Sequence, residues 1–180
     1  MGTTKSLITG LMSAAAMACA PVHQDRPATV PATASQEAPS LPLHEVRPGL
    51  YSAGQPTDSD WGLIAARGVT IVINLRPADE MEGRHEAAEV NAAGMRYIEI
   101  PVANGDAITL ANASKLSEAI QGAKGAPVLV HCASANRAGG LLAVMAAAQH
   151  GLSDEAALAL GRKAGMASTE MRVREVLSAD

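Results

Sequence analysis

A chain of 180 residues with 48% hydrophobic and 18% charged residues can build one domain with a sizeable core, and is too short for two of ordinary size. Its formal net charge is −4 and only 2% of its residues are aromatic, with no Phe, which excludes the basic footprint and stacking platform of a nucleic-acid binder. No apolar run reaches the roughly eighteen residues a bilayer-spanning helix needs.

In chain order, Met1 to Ala20 carries one early cation, Lys5, then an Ala-rich apolar stretch ending in the small-x-small spacing Ala16-Met17-Ala18. This pattern predicts an export signal over residues 1–18. Cys19 follows at the place of a bacterial lipoprotein cleavage box, so two outcomes stand: a lipid-anchored chain acylated at Cys19, or simple secretion to the periplasm. Residues 19–48 hold six of the ten prolines among Ala, Thr, Ser and Gln, which predicts a disordered tether onto whose domain Leu41, Leu43 and Val46 could dock. The folded domain is expected over residues 49–180.

From Leu50 the pattern alternates. Leu50 to Ala53 predicts a strand running into a turn at Gly54-Gln55-Pro56, and Thr57 or Asp58 is the expected cap of a helix bearing Trp61, Leu63 and Ile64. Val69 to Leu75 and Pro127 to His131 are β-branched runs bounded by turn signals, hence buried strands, and Arg96 to Val102 predicts another. Helices are predicted over 79–93, 110–123 and 136–150, with two more after Ser153 and from Thr169. The alternation implies an α/β fold: a mainly parallel sheet flanked by helices on both faces.

Chemistry concentrates in His131-Cys132-Ala133-Ser134-Ala135-Asn136-Arg137-Ala138-Gly139, between a buried strand and a helix start. Open α/β sheets bind ligands at this edge. Inward amides of Ala133, Ser134, Ala135 and Asn136 would form an anion nest at the helix N-terminus, and Arg137 adds a planar fork suited to a tetrahedral oxyanion. That positive field favours a Cys132 thiolate nucleophile; the plain alternative is a structural Cys at a strand end. Arg76 closes a buried strand at the same edge. It could bind an anionic ligand, or simply pair with Asp79 or Glu80. His85 and His150 lack metal-ligand spacing, and the pattern implies no metal and no cofactor.

Three segments, Tyr51 to Pro56, Val72 to Pro77 and His131 to Gly139, together resemble the cysteine-dependent tyrosine/dual-specificity phosphatase superfamily, and most closely its beta-lactamase hydrolase-like phosphatase branch. The resemblance covers roughly Leu50 to Gly151. It implies a phosphatase fold and a hydrolase of phosphate monoesters in which Cys132 attacks phosphorus and Arg137 binds the equatorial oxygens. His131 would hold the loop, and Asp106, in Asn104-Gly105-Asp106, stands where the family takes its general acid; a turn-forming Asp is the alternative.

Three features depart from the superfamily. Four residues separate Cys132 from Arg137 where phosphatases place five, a spacing the beta-lactamase hydrolase-like branch shares; Ala135 stands where Gly is usual, and Ala138 where Ser or Thr is common. Two other functions therefore stay open: a rhodanese-like sulfurtransferase carrying a persulfide on Cys132, and an oxyanion-binding module without turnover. The expected partner is a small oxyanion or phosphoester, including a phosphoprotein; contact with a membrane is expected only through Cys19, and the sequence does not define an oligomeric state.

Overall fold

The computed structural model describes residues 41–179. The expected export signal, Cys19 and most of the expected tether lie outside those residues. Five strands form one mixed sheet in the order β1-β2-β5-β3-β4: β1 (His44–Arg47), β2 (Leu50–Ala53), β3 (Ile71–Asn74), β4 (Arg96–Glu99) and β5 (Val128–His131). β1 runs antiparallel to β2, and every other pairing is parallel. β3 and β5 are buried at all four positions, as unbroken β-branched runs must be when both faces are covered.

Strand alternation divides two cores. Val72 and Leu129 face one side with Trp61, Ile64, Val69, Val90 and Met95, under α1 (Asp60–Ala66) and α2 (Glu86–Ala92). Ile71, Ile73, Val128 and Val130 face the larger core on the other side, under α3 (Leu110–Gln121), α4 (Asn136–His150), α5 (Asp154–Lys163) and α6 (Glu170–Ser178). α4 is buried from Ala138 to Ala146, and Gly139 lets it approach the α5 turn closely: a Cβ there would stand 2.7 Å from the Gly161 carbonyl oxygen and press on the Met166 backbone nitrogen.

The structure departs from the expected elements in four places. β1 lies inside the stretch assigned to the tether, joined to β2 by Pro48-Gly49 with Gly49 at φ +76°. The helix expected over 79–93 is a 3-10 turn, Ala78–Met81, then a loop through Gly83 at φ +76°, then α2. A left-handed glycine cannot continue a right-handed helix, so the segment breaks there. α1 is preceded by Ser59 with no side-chain cap; instead Asp60 accepts hydrogen bonds from the Thr57 amide and hydroxyl, both at 2.7 Å. β4 is shorter than expected and ends before Pro101, which has no N–H to donate to a ladder. The helix expected over 136–150 matches α4 at both ends.

Candidate active site

β5 lies between β2 and β3, and its carboxyl end delivers Cys132 into a loop clamped from both sides. Leu75 donates its amide to the His131 carbonyl at 2.9 Å, and Gln55 donates to the Ala133 carbonyl at 3.1 Å. Gly54 bridges to Ser134, and a Cβ on it would come within 3.2 Å of the Ala133 oxygen, so the turn after β2 needs glycine for close approach. Cys132 itself is 1% exposed and is the one cysteine among the described residues.

Ala133 and Ser134 are exposed, and Ala135 is buried at φ +66°, ψ −13°. A left-handed turn immediately before α4 directs the chain so that the helix begins under the loop. With an ordinary L-residue there, it costs on the order of 1 kcal/mol. The Ala135 methyl has room because its neighbour is Gly165, where a Cβ would lie 2.5 Å from that of Ala135. No side chain caps α4, and its first intrahelical bond runs from Gly139 to the Ala135 carbonyl. The amides of Asn136, Arg137 and Ala138 therefore have no intrahelical acceptor and, among the described residues, donate to no other backbone group. Of these three, only Asn136 is among the four residues whose amides are expected to form an anion nest.

The Asn136 side chain is engaged within the protein. Its Oδ1 accepts from the Ala167 amide (2.8 Å) and the Thr169 hydroxyl (2.9 Å), and its Nδ2 donates to Ser168 (2.7 Å), which ties the loop's end to the chain entering α6. Only its backbone is left to face a ligand.

Arg137 is held by Glu80, which sequence reasoning offered only as a partner for Arg76. Nη1 and Nη2 donate to the two Glu80 oxygens at 2.8 and 2.6 Å, and Nη1 also reaches the Val102 carbonyl at 2.7 Å. The pairing holds the Glu80 carboxyl below its ordinary range, chiefly through the Arg137 hydrogen bond, and raises Arg137 further above an already permanent charge. Arg76 takes the plainer of its two expected roles, binding Glu80 through Nε at 3.1 Å and Gln55 through Nη1 at 2.5 Å. Gln55 donates in turn to Glu86, whose other oxygen lies 2.9 Å from His131 Nε2 at an angle too bent for a hydrogen bond. Glu86 is 2% exposed; burial alone would raise its carboxyl, but the contacts with His131, Gln55 and Arg84 outweigh it and hold the group low.

These contacts make one circuit, from Arg137 through Glu80, Arg76, Gln55 and Glu86 back to His131. The two ends of the loop are fixed by side chains that never enter it. His131 is fully buried with its ring edge against Trp61 (centroids 6.2 Å apart), behind the loop that it is expected to hold. Asp106 is exposed and shares an open cleft of about 450 Å³ with Asn104, Arg137, Thr169 and Arg172.

What the circuit leaves free defines the chemistry. Arg137 has five donors; its Nε and the second hydrogen of Nη2 form an edge that donates to no oxygen among the described residues, and the neighbouring Cys132 sulfur also raises Arg137. That edge, the helix amides and a buried cysteine together suit a tetrahedral dianion in contact with a nucleophile.

A loop of this kind, on this sheet order, is the mark of the cysteine-dependent phosphatase fold. Residues 43–149 match the family model of the beta-lactamase hydrolase-like protein, phosphatase-like domain, and the chain belongs to that family. It is 38% identical over 93 residues to a beta-lactamase hydrolase-like protein of Agrobacterium fabrum, a match covering 49% of this chain and 21% of that one. The matched segment is thus about a fifth of that relative's length. Among solved structures it is similar to a candidate phosphatase (DUF442) of Shewanella putrefaciens, with TM-score 0.60 and 28% identity over 76% of this chain and 91% of the other. Pseudomonas aeruginosa TpbA, solved in complex with phosphotyrosine, shares the fold at TM-score 0.61 and 22% identity, covering 79% and 91% of the two chains.

Proposed function

We propose that this domain hydrolyses phosphate monoesters through a cysteinyl-phosphate. The Cys132 thiolate attacks phosphorus as the bond to the ester oxygen breaks, and Asp106, which shares a cleft with Arg137, gives its proton to the departing oxygen. Water then attacks phosphorus, Asp106 takes back a proton, and inorganic phosphate leaves with the thiolate restored. The free edge of Arg137 carries the reading, because it offers two parallel donors to equatorial oxygens while Glu80 holds the opposite edge. The phosphotyrosine bound by TpbA supports a phosphoester as the ligand class.

The test is phosphate release from a small aryl phosphate. Cys132→Ser should abolish release, and Asp106→Asn should lower kcat about 10²-fold with the loss greatest for poor leaving groups. Release by Cys132→Ser at the unmutated rate would sink the assignment. The four-residue loop favours a second reading, sulfur transfer, which predicts a mass gain of one sulfur on Cys132 after exposure to thiosulfate. We further propose export, with Cys19 the site of lipidation; labelled palmitate should be incorporated by the intact chain and not by Cys19→Ala.

A further inference from the structure

The cleft over Arg137 has two unlike walls. One is the Asn104–Asp106 turn; the other is the start of α6, which contributes Thr169, Met171, Arg172 and Glu175. α6 lies beyond the segment that the family model matches. Met171 is 74% exposed and gives this wall an apolar side chain.

Arg172 is the more telling residue. Its Nε is shielded from solvent and has no hydrogen-bond partner, and a buried donor left unmade costs on the order of 1–3 kcal/mol. Its one ion pair is a single 3.3 Å contact with Glu175, whose side chain is 60% exposed, the kind of pair worth little in water. The other α6 cation is differently placed: Arg174 is drawn onto Glu170 at 2.8 Å, beside Arg162 at 2.6 Å from the same carboxylate. Glu80 holds one edge of Arg137 and the proposed reaction uses the other for the phosphoryl group, so Arg172 is the cation in this cleft left for a second anion.

We propose that α6 selects the organic part of the substrate. Met171 packs on its apolar face, and Arg172 binds a second anionic group there, displacing Glu175. The preferred ligand is then a phosphomonoester whose leaving group carries a carboxylate or a further phosphate on an apolar spacer. The cleft's volume of about 450 Å³ suits such a molecule, within the roughly 300–1,000 Å³ of small-ligand pockets. This inference rests on the phosphatase reading for its turnover assay, but not for its binding assay.

The experiment compares 4-(carboxymethyl)phenyl phosphate with 4-(2-hydroxyethyl)phenyl phosphate, esters of similar leaving-group basicity that differ in the second anion. The full chain should prefer the carboxylated ester about tenfold in kcat/KM, through KM; Arg172→Gln should bring the ratio near one, and Arg172→Lys should restore part of it. An equal preference in the full chain and in Arg172→Gln would overturn the proposal. If neither ester is turned over, titration onto Cys132→Ser keeps the two readings apart. Preferential binding of the carboxylated ester, lost in Cys132→Ser/Arg172→Gln, supports the α6 contact while the phosphatase reading falls. Equal binding of both esters overturns the contact itself.

Discussion

The two faces of the sheet are built on different physics. Under α3 to α6 the core is large, apolar and close-packed, with Leu141, Leu142, Ile108 and Leu158 fully buried and glycines where helices touch. Under α1 and α2 the apolar core is small, and polar contacts occupy the space beside it: Trp61 Nε1 donates to Glu89 at 2.8 Å, Arg84 binds Glu89 at 2.7 Å, and Glu86 backs His131. Apolar packing stabilises without direction, whereas charged hydrogen bonds fix an angle and a distance. Glu86 on the polar face backs His131 at one end of the Cys132 loop, while Asn136 ties the other end to the chain entering α6 on the apolar face.

Four substitutions or conditions would break or sharpen that contrast. The largest effect is expected from Gly139→Ala on the apolar face, where the new methyl meets backbone atoms of Met166 and Gly161 that cannot yield cheaply. A loss of about 3 kcal/mol or more in urea unfolding is expected, and a loss under ~1 kcal/mol would show that the helix contact is slack. On the polar face, Glu80→Gln should instead lower kcat about 10- to 50-fold while costing far less stability than Gly139→Ala, because the Arg137 fork loses its charged anchor. A fall in stability with unchanged kcat would reverse the division of labour.

Acid is the third probe. Glu80 and Glu86 are held below the ordinary glutamate value of about 4.3, so each stabilises the fold fully above that value and loses its contribution as pH falls through its lowered one. Stability should be level from pH 6 to 8 on these groups' account and decline below about pH 4, with a gentler decline in Glu86→Gln. Equal midpoints at pH 7 and pH 3 would mean that the carboxylates contribute nothing as ions. The smallest effect is expected at Ala135→Gly: relief of the left-handed strain, about 1 kcal/mol, is offset by the roughly 0.5–1 kcal/mol entropy cost of glycine. Calorimetry should find a change below ~1 kcal/mol, and a loss above 2 kcal/mol would show that the Ala135 methyl packs against more than Gly165.

The apolar side of this comparison was legible in the sequence and the polar side mostly was not. α4 could be bounded because Gly151 closes it in a left-handed turn and an Ala- and Leu-rich run from Leu141 to Ala148 leads up to that turn. β3 and β5 announce themselves as β-branched runs. By contrast, Glu86 sits in a charged, helix-forming stretch where burial leaves no signature, and its partner His131 is distant in sequence. The break at Gly83 was hidden by the same charge pattern, although that glycine was the available signal. β1 is a four-residue strand with one buried side chain, Val46, set among prolines; Pro48-Gly49 was its only mark as a hairpin. The chemistry of Cys132 and Arg137 was readable because nucleophile and anion binder lie on one continuous loop, while the residues that aim them come from three other segments.

The Glu80 clasp on Arg137 has a thermodynamic consequence. A guanidinium already immobilised by a carboxylate and a carbonyl gives up little rotational freedom when an oxyanion arrives, and the unpaired helix amides need no rearrangement to meet it. Little apolar surface is covered in the process. Capture of phosphate or vanadate by this loop should therefore be exothermic with a small heat-capacity change, the signature of a ligand entering a finished polar socket.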